Sequence, residues 1–312
     1  MFALADNLAA YIVSSVIMAV GLALYSGSPV AWFYDIMVKY DMVSKRGEIM
    51  PKMTMVVKGF AIAANGISFV LVLYSVKWPL FCGVLLSFII GVLYLCNFED
   101  NKGKTEGMSF GKTLLLFSGK FLKDGRMRMI VIYDGISYVA TAFFILEWQL
   151  YLVNEFGLQK NYIGLILILF MFCMMIGGYI SSKFVGLKDV FSGTYIGKAV
   201  MAVSLAMIFF SHNLILSLIS MSIFEISLSI CSITESIWVN DYIEADNRAS
   251  FYSAMSASLK LFGFIIILLA GHVVDRYGYI FGWKVCFVAN FVSVLALMFF
   301  VKRYGKNKVE AR

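Results

Sequence analysis

The chain has 312 residues, of which 61% are hydrophobic and only 14% are charged. These proportions exclude an ordinary soluble protein, in which about a quarter of the residues are charged. The formal net charge of +7 does not require nucleic acid, because lysine and arginine also accumulate in cytoplasmic loops and beside anionic lipid headgroups. The composition therefore predicts an integral membrane protein. Its expected partner is membrane lipid, and no nucleic-acid partner is expected.

Apolar stretches of about 20 residues are long enough to cross the hydrocarbon core as helices. Helices are expected because backbone polar groups in lipid must find their hydrogen bonds within one segment or a closed barrel. The predicted fold class is therefore all-α, a polytopic helical bundle. Nine spans are predicted, at residues 8–28, 54–75, 79–97, 129–152, 162–183, 191–210, 214–238, 252–273 and 282–301.

One long interruption divides the predicted spans, over residues 98–128. Its basic residues alternate with apolar ones, which is typical of a helix that lies at the membrane surface; a solvated tether is the alternative. The predicted domains are a partial N-terminal half of three spans over 1–97, a basic cytoplasmic loop with this amphipathic helix over 98–128, and a six-helix half with a basic tail over 129–312.

The basic residues also predict the orientation of the chain, since lysine and arginine are retained in short cytoplasmic loops. Most of the 26 lysine and arginine residues lie in alternate loops and in the tail after residue 301. We therefore expect a multi-pass protein of the cell membrane with an external N-terminus and a cytoplasmic C-terminus.

Two segments 206 positions apart, 26–35 and 232–241, repeat one pattern at the end of an apolar run. Serine, tryptophan and aspartate recur in register, which suggests a duplicated helical unit. In secondary transporters with internal repeats, the substrate site lies at the interface between the repeats. The predicted gate motif, which adds one lysine after each segment, consists of Ser26, Gly27, Trp32, Asp35, Lys58, Glu235, Trp238, Asp241 and Lys260.

The two lysines of this motif occupy related positions. Lys58 and Lys260 each lie in the helix that follows one of the repeated segments, and each is followed two residues later by phenylalanine. We expect Asp35 to pair with Lys58 at a cytoplasmic gate. Asp241 would pair with Lys260 in the same way. Simple snorkelling of both lysines to the interface is the alternative.

Two acidic residues at membrane depth are the candidates for proton coupling. A charge near the bilayer centre costs several kcal/mol unless it faces the bundle interior or water. Glu225 lies close to the middle of the predicted span 214–238, and Asp134 lies one or two turns into the span 129–152. A carboxyl group that meets water from each side in turn can carry a proton against a substrate. A neutral, hydrogen-bonded packing role is the alternative for both.

The start of the chain carries a family resemblance. The segment Leu22–Asp35 resembles the end of the fourth helix in major facilitator superfamily transporters of the drug-efflux kind, on the strings Tyr25-Ser26-Gly27-Ser28, Ala31-Trp32 and Asp35. The resemblance implies a fold of two six-helix halves joined by a long cytoplasmic loop. The nine spans would be the family's fourth to twelfth helices, so we expect a missing N-terminal segment or a partner chain to supply the first three.

The resemblance also implies a function. It favours a secondary active transporter that exports small amphipathic molecules by proton antiport and alternating access. A truncated, non-transporting remnant or partner subunit is one alternative, and an importer of sugars or organic acids is another. The chain has no protease motif and no phosphate loop, and its five cysteines lack the spacing of zinc sites or disulfides. The sequence therefore predicts no enzyme, no metal and no cofactor.

Overall fold

The computed structural model describes residues 4, 6–25, 28–72, 74–75, 77–97, 124–159, 162–186, 190–211, 213–240 and 248–304. Regular structure in these residues is helical. A short 3-10 helix, Val43–Lys45, precedes the third α-helix. The α-helices in chain order are α1 (Leu8–Tyr25), α2 (Ser28–Lys39), α3 (Arg46–Val72), α4 (Lys77–Asn97), α5 (Gly125–Phe156), α6 (Ile163–Gly186), α7 (Val190–Phe210), α8 (Leu214–Asn240) and α9 (Arg248–Tyr304).

Helix is present at all nine predicted spans, and α9 covers the last two of them. The two parts of α9 meet at Gly278, whose φ of 78° lies in the left-handed region that glycine adopts most easily. Among the described residues, seven helical segments are long and apolar enough to cross a membrane. The predicted all-α, polytopic bundle is confirmed.

The sequence reading missed α2 and the early start of α3. With 12 residues, α2 is too short to span a bilayer, so a search for apolar stretches passes over it. Pro29 lies in its first turn, where the missing N–H costs no hydrogen bond. Lys39 lies in its last turn, beside the negative end of the helix dipole. The residues between the first two predicted spans therefore form helix rather than an open loop.

The hydrophobic core lies within α5–α9, which we call the C-terminal bundle. One large cluster of buried side chains joins all five helices, and in it Phe144 stacks on Phe224 with ring centroids 4.2 Å apart. A second cluster surrounds Trp238 at the end of α8. Neither cluster contains a buried residue from α1–α4.

Glycines allow the helices of the C-terminal bundle to approach closely. A Cβ at Gly177 of α6 would collide with the backbone carbonyl of Ile226 in α8 and lie 2.7 Å from the Cβ of Ser229. Gly193 and Gly197 of α7 likewise face α8, where a Cβ would lie 2.7 Å from Thr234 and 2.6 Å from Cys231. Such small residues four apart are a common basis for packing between membrane helices.

The N-terminal helices are attached to this bundle mainly through α3. It packs along α6, where Met55 and Pro51 face Gly178. The side chains of α4 are largely exposed, as Leu95 is at 88%. The division into halves over 1–97 and 129–312 stays a prediction. Most of the predicted loop 98–128 lies outside the described residues, which resume at Asp124.

Asp124 begins the C-terminal bundle as the N-cap of α5. Its carboxylate accepts a hydrogen bond from the backbone N–H of Arg126 at 2.8 Å and pairs with the guanidinium of the same residue at 3.0 Å. Partial burial raises the pKa of Asp124, but the hydrogen bonds and charge of Arg126 outweigh it and hold the pKa below its usual value. The start of α5 is therefore fixed by a charged cap.

Candidate functional site

A buried lysine is the centre of a polar cluster inside the C-terminal bundle. Lys198 of α7 is 2% exposed. Its Nζ donates a hydrogen bond to the hydroxyl of Ser137 and lies 3.8 Å from a carboxylate oxygen of Glu235. It also lies 5.4 Å from the ring centre of Tyr133, within the range of a cation–π interaction. The ammonium group is thus surrounded by partners from α5 and α8.

The α5 side of the cluster follows from helical spacing. Tyr133 and Ser137 are four residues apart, so they lie on the same face of α5. The Tyr133 hydroxyl donates a hydrogen bond to Glu235, while Ser137 accepts one from Lys198. The neighbouring Asp134 is partly exposed, and its carboxylate interacts electrostatically with Lys198. One short segment of α5 therefore supplies three polar groups to the cluster.

The two carboxylates of the cluster line one cavity. Its volume is about 220 Å³, and it lies between α5, α8 and α9. Asp134 contributes from α5, and Glu235 contributes from α8 with the hydroxyls of Ser232 and Ser236 on either side of it in sequence. A buried charge is tolerated only when it is paired and hydrogen-bonded. This cavity therefore presents two acidic groups within a bundle of apolar helices, and Lys198 lies beside them without lining the cavity.

Glu225 lies deeper in α8 and faces protein. It is 8% exposed and sits about 17 Å from the start of the helix at Leu214, by the helical rise per residue. Lys58 of α3 is close enough for the two charges to interact. Cys173 of α6 also lies within electrostatic range of this carboxylate. Glu225 therefore lies where α3, α6 and α8 meet.

The predicted gate residues fall into two groups. Ser26, Gly27 and Asp241 lie outside the described residues, as do the side chains of Asp35 and Lys260. The proposed pairs of Asp35 with Lys58 and of Asp241 with Lys260 therefore stay predictions. The remaining positions are described and lie in helices: Trp32, Lys58, Glu235 and Trp238.

The two tryptophans of the repeat occupy different settings. Trp32 is partly buried in the first half of α2, whereas Trp238 near the end of α8 is fully buried. The indole N–H of Trp238 donates to the hydroxyl of Thr194 at 3.2 Å, and its ring packs against Phe191 and Phe300. These contacts give Trp238 a packing role in the C-terminal bundle.

The sequence reading missed Lys198, Ser137 and Tyr133 as site residues. Lys198 was visible as a charge in the predicted span 191–210, but its position near the start of that span also fits an edge residue. Its interior setting depends on contacts with residues that are distant in sequence, such as Glu235. A lysine eight residues into an otherwise uncharged helix was the sequence signal for Lys198 itself.

A solved structure supports the fold. The chain is similar to the crystal structure of a bacterial homologue of the iron transporter ferroportin in its outward-facing state. The TM-score is 0.57 at 16% sequence identity, and the match covers 81% of this chain. The chain spans 65% of the length of that structure. No protein-family model and no curated protein matches the sequence.

At this level of identity, the similarity concerns the fold alone. It agrees with the apolar helices in the described part of the chain, which are long enough to cross a membrane. The chain is thus a multi-pass membrane protein, and its described helices form a bundle similar in fold to that structure.

Proposed function

We propose that the chain acts as a secondary active transporter of the major facilitator type, exporting small amphipathic molecules in exchange for protons by alternating access. The observation that carries the proposal is the burial of Glu225, a carboxyl group near the middle of a membrane helix. Such groups are expensive in lipid and most often mark ion pathways or proton relays. The fold similarity to a transporter supports the same class of function.

Glu225 couples protonation to helix packing in this proposal. Its charge attracts Lys58, which belongs to the N-terminal helix α3, while Glu225 itself belongs to the C-terminal bundle. Protonation removes that attraction and so shifts the free-energy difference between two arrangements of α3 against the bundle. A proton taken up on one side can thereby favour the conformation that is open to the other side.

Asp134 is the second proposed coupling residue. It lines the cavity of about 220 Å³ and interacts with the buried Lys198. Protonation of Asp134 would leave Lys198 with Glu235 as its carboxylate partner. The charge in the cavity would then change by one unit, which is enough to alter its affinity for a charged solute.

The remaining parts of the proposal rest on the sequence. The distribution of basic residues supports a cell-membrane protein with a cytoplasmic C-terminus. The cargo is a small molecule. The described residues contain no group of three or more His, Cys, Asp or Glu side chains that could hold a metal ion, and the proposal names no metal as cargo. A non-transporting partner subunit and an importer of sugars or organic acids are the competing functions.

Flux across reconstituted vesicles tests the proposal. The full chain would be placed in liposomes with an imposed pH gradient and fluorescent amphipathic dyes of positive, neutral and negative charge. We expect gradient-dependent movement of at least one dye, lost in Glu225→Gln and retained in Glu155→Gln, since Glu155 is an exposed glutamate at the end of α5. Dye movement no faster than in protein-free vesicles would contradict the proposal.

A further inference from the structure

The surroundings of Lys198 have the chemistry of an ammonium-binding site. Its Nζ has a hydroxyl acceptor in Ser137, a carboxylate in Glu235 and the π face of Tyr133. A hydrogen-bond acceptor, an opposite charge and an aromatic ring are the three kinds of partner that recognise a protonated amine. In the described structure, these partners are occupied by the protein's own lysine.

The carboxylates of the same cluster face open space on their other side. Asp134 and Glu235 both line the cavity, whereas Lys198 lies behind its wall. Ser232 and Ser236 line it as well and supply hydroxyl acceptors. Ser232 is exposed, so the cavity can be reached from outside the bundle. A solute that enters would therefore meet the carboxylates before it met the lysine.

Charge and size indicate what such a solute would be. When both carboxylates are ionised, they and the one ammonium leave one negative charge uncompensated at the cavity wall. A cation relieves that excess, whereas an anion adds to it. The volume of about 220 Å³ is below the roughly 300–1,000 Å³ of pockets for drug-sized ligands, so the cavity suits a smaller molecule. A small monovalent organic cation matches both properties.

We propose that this cavity binds the protonated amino group of a small organic amine through Asp134 and Glu235, and that Lys198 is an internal cation that competes with the amine for Glu235. The inference rests on the proposed transport function for its physiological meaning, because it names the class of substrate. The binding event itself can be measured without transport.

Because Lys198 competes with the amine, the effect of Lys198→Met on affinity depends on the charge of the ligand. If the cavity bound an anion, Lys198 would be its main partner, and Lys198→Met would abolish binding. If the cavity binds an amine, the same substitution frees Glu235 and strengthens binding. The sign of the change therefore separates the two classes of ligand.

Benzylammonium is a suitable probe, with benzyl alcohol and benzoate as its neutral and anionic counterparts. The full chain in lipid nanodiscs would be titrated with each compound by calorimetry. We expect benzylammonium to bind best, Asp134→Asn and Glu235→Gln to weaken it about tenfold or more, and Lys198→Met to strengthen it. Glu155→Gln, at an exposed position, should leave it unchanged.

A second variant distinguishes a change in binding from a loss of folding. Lys198→Met leaves the partly buried Glu235 without its lysine, so the double variant Lys198→Met/Glu235→Gln removes both charges together. It should fold and bind benzylammonium more weakly than Lys198→Met through the remaining Asp134. The inference is overturned if benzoate binds better than benzylammonium, or if Asp134→Asn and Glu235→Gln both leave benzylammonium binding unchanged.

Amine binding tests the proposed site and solute flux tests the proposed transport function, so either measurement can be negative without the other. Carboxylate-dependent binding of benzylammonium without flux in vesicles would support the amine site and contradict the proposed transport function. Flux of neutral or anionic dyes without any amine binding would support transport and overturn the amine site.

Discussion

Apolar side chains are buried to different extents in the C-terminal bundle and in the N-terminal helices α3 and α4. In the most apolar stretch of α8, 50% of the residues are buried, whereas none is buried in the corresponding stretches of α3 and α4. Glycines differ in the same manner. Gly177 lies tightly against α8, while Gly66 of α3 and Gly91 of α4 have no atom within 4 Å of a Cβ built on them.

The difference shows where interior packing ends and lipid-facing surface begins. Hydropathy alone does not separate the two regions, because both consist of apolar helices. What separates them is the placement of small and polar residues, which mark the faces that meet other helices. By this criterion the C-terminal bundle contains the two large packed clusters, and Lys58 is a charged group of α3 that interacts with it through Glu225.

The largest expected effect is on stability, which we expect to fall when the buried Lys198 is replaced and to change little when the exposed Lys52 is replaced. Lys198→Met should lower the free energy of unfolding by about 3 kcal/mol, because it removes the cation beside Glu235, whose side chain is 18% exposed at the cavity. Lys52→Met is the matched control in α3, since Lys52 pairs with Glu48 at 2.5 Å with both side chains 64% exposed. We expect little change from it.

Unfolding of each variant in detergent, followed by circular dichroism, checks this expectation. The double variant Lys198→Met/Glu235→Gln should recover most of the lost stability, because it removes the unpaired charge. Equal stability of Lys198→Met and the native protein would show that Lys198 is solvated, which would remove the contrast between the two regions.

The next effect concerns the glycines. Gly177→Ala should destabilise the protein by about 1–3 kcal/mol, because its Cβ meets the backbone of Ile226, which cannot move without shifting α8. Gly91→Ala is its control in α4, where alanine meets open space and gains helix propensity. Thermal unfolding in matched detergent measures both. If the two alanines behaved alike, α6 and α8 would not be as closely packed as described.

The pairing of Lys58 comes third. The structure gives it Glu225 as an electrostatic partner, whereas the repeated motif predicts Asp35. Charge exchange in Lys58→Glu/Glu225→Lys should recover about 1–2 kcal/mol of the stability lost by the single variants. The corresponding exchange with Asp35 should recover less. The opposite ranking in a double-mutant cycle would restore the gate pair predicted from the sequence.

The smallest effect concerns the junction at which the C-terminal bundle begins. Asp124→Ala should cost about 1 kcal/mol at neutral pH, because it removes the N-cap of α5. The pKa of Asp124 is lowered in the folded state, so its contribution is present above about pH 3.9, the ordinary value for the unfolded chain. It is lost as the pH falls through the folded-state pKa. The unfolding curves of the two proteins should therefore differ at neutral pH and converge at acidic pH.

Much of the fold could be predicted from the sequence, because apolar length alone identifies membrane helices. Glu225 was selected because a charge at its depth is costly in lipid, and its side chain is buried in protein in the structure; its role in proton coupling stays a prediction. In contrast, α2 escaped notice because its 12 residues are too few to form a span. The break at Gly278 falls inside the loop expected between the last two predicted spans.

The polar cluster around Lys198 could not be predicted in the same way. It depends on which faces of α5, α7 and α8 meet, and helices that are apolar on nearly all sides carry little information about their orientation. Glu235 was selected only as part of a repeated motif. Its actual neighbours, Lys198 and Tyr133, come from helices that the motif does not include.

The most direct test of the central claim separates solute exchange from coupling in Glu225→Gln. In vesicles loaded with a transported dye, the variant should still exchange internal for external dye at equal pH, because its solute cavity is intact. It should no longer accumulate dye when a pH gradient is imposed, because it cannot release the proton that drives accumulation. Full gradient-driven accumulation by Glu225→Gln would contradict the assignment of this buried carboxyl group as the proton carrier.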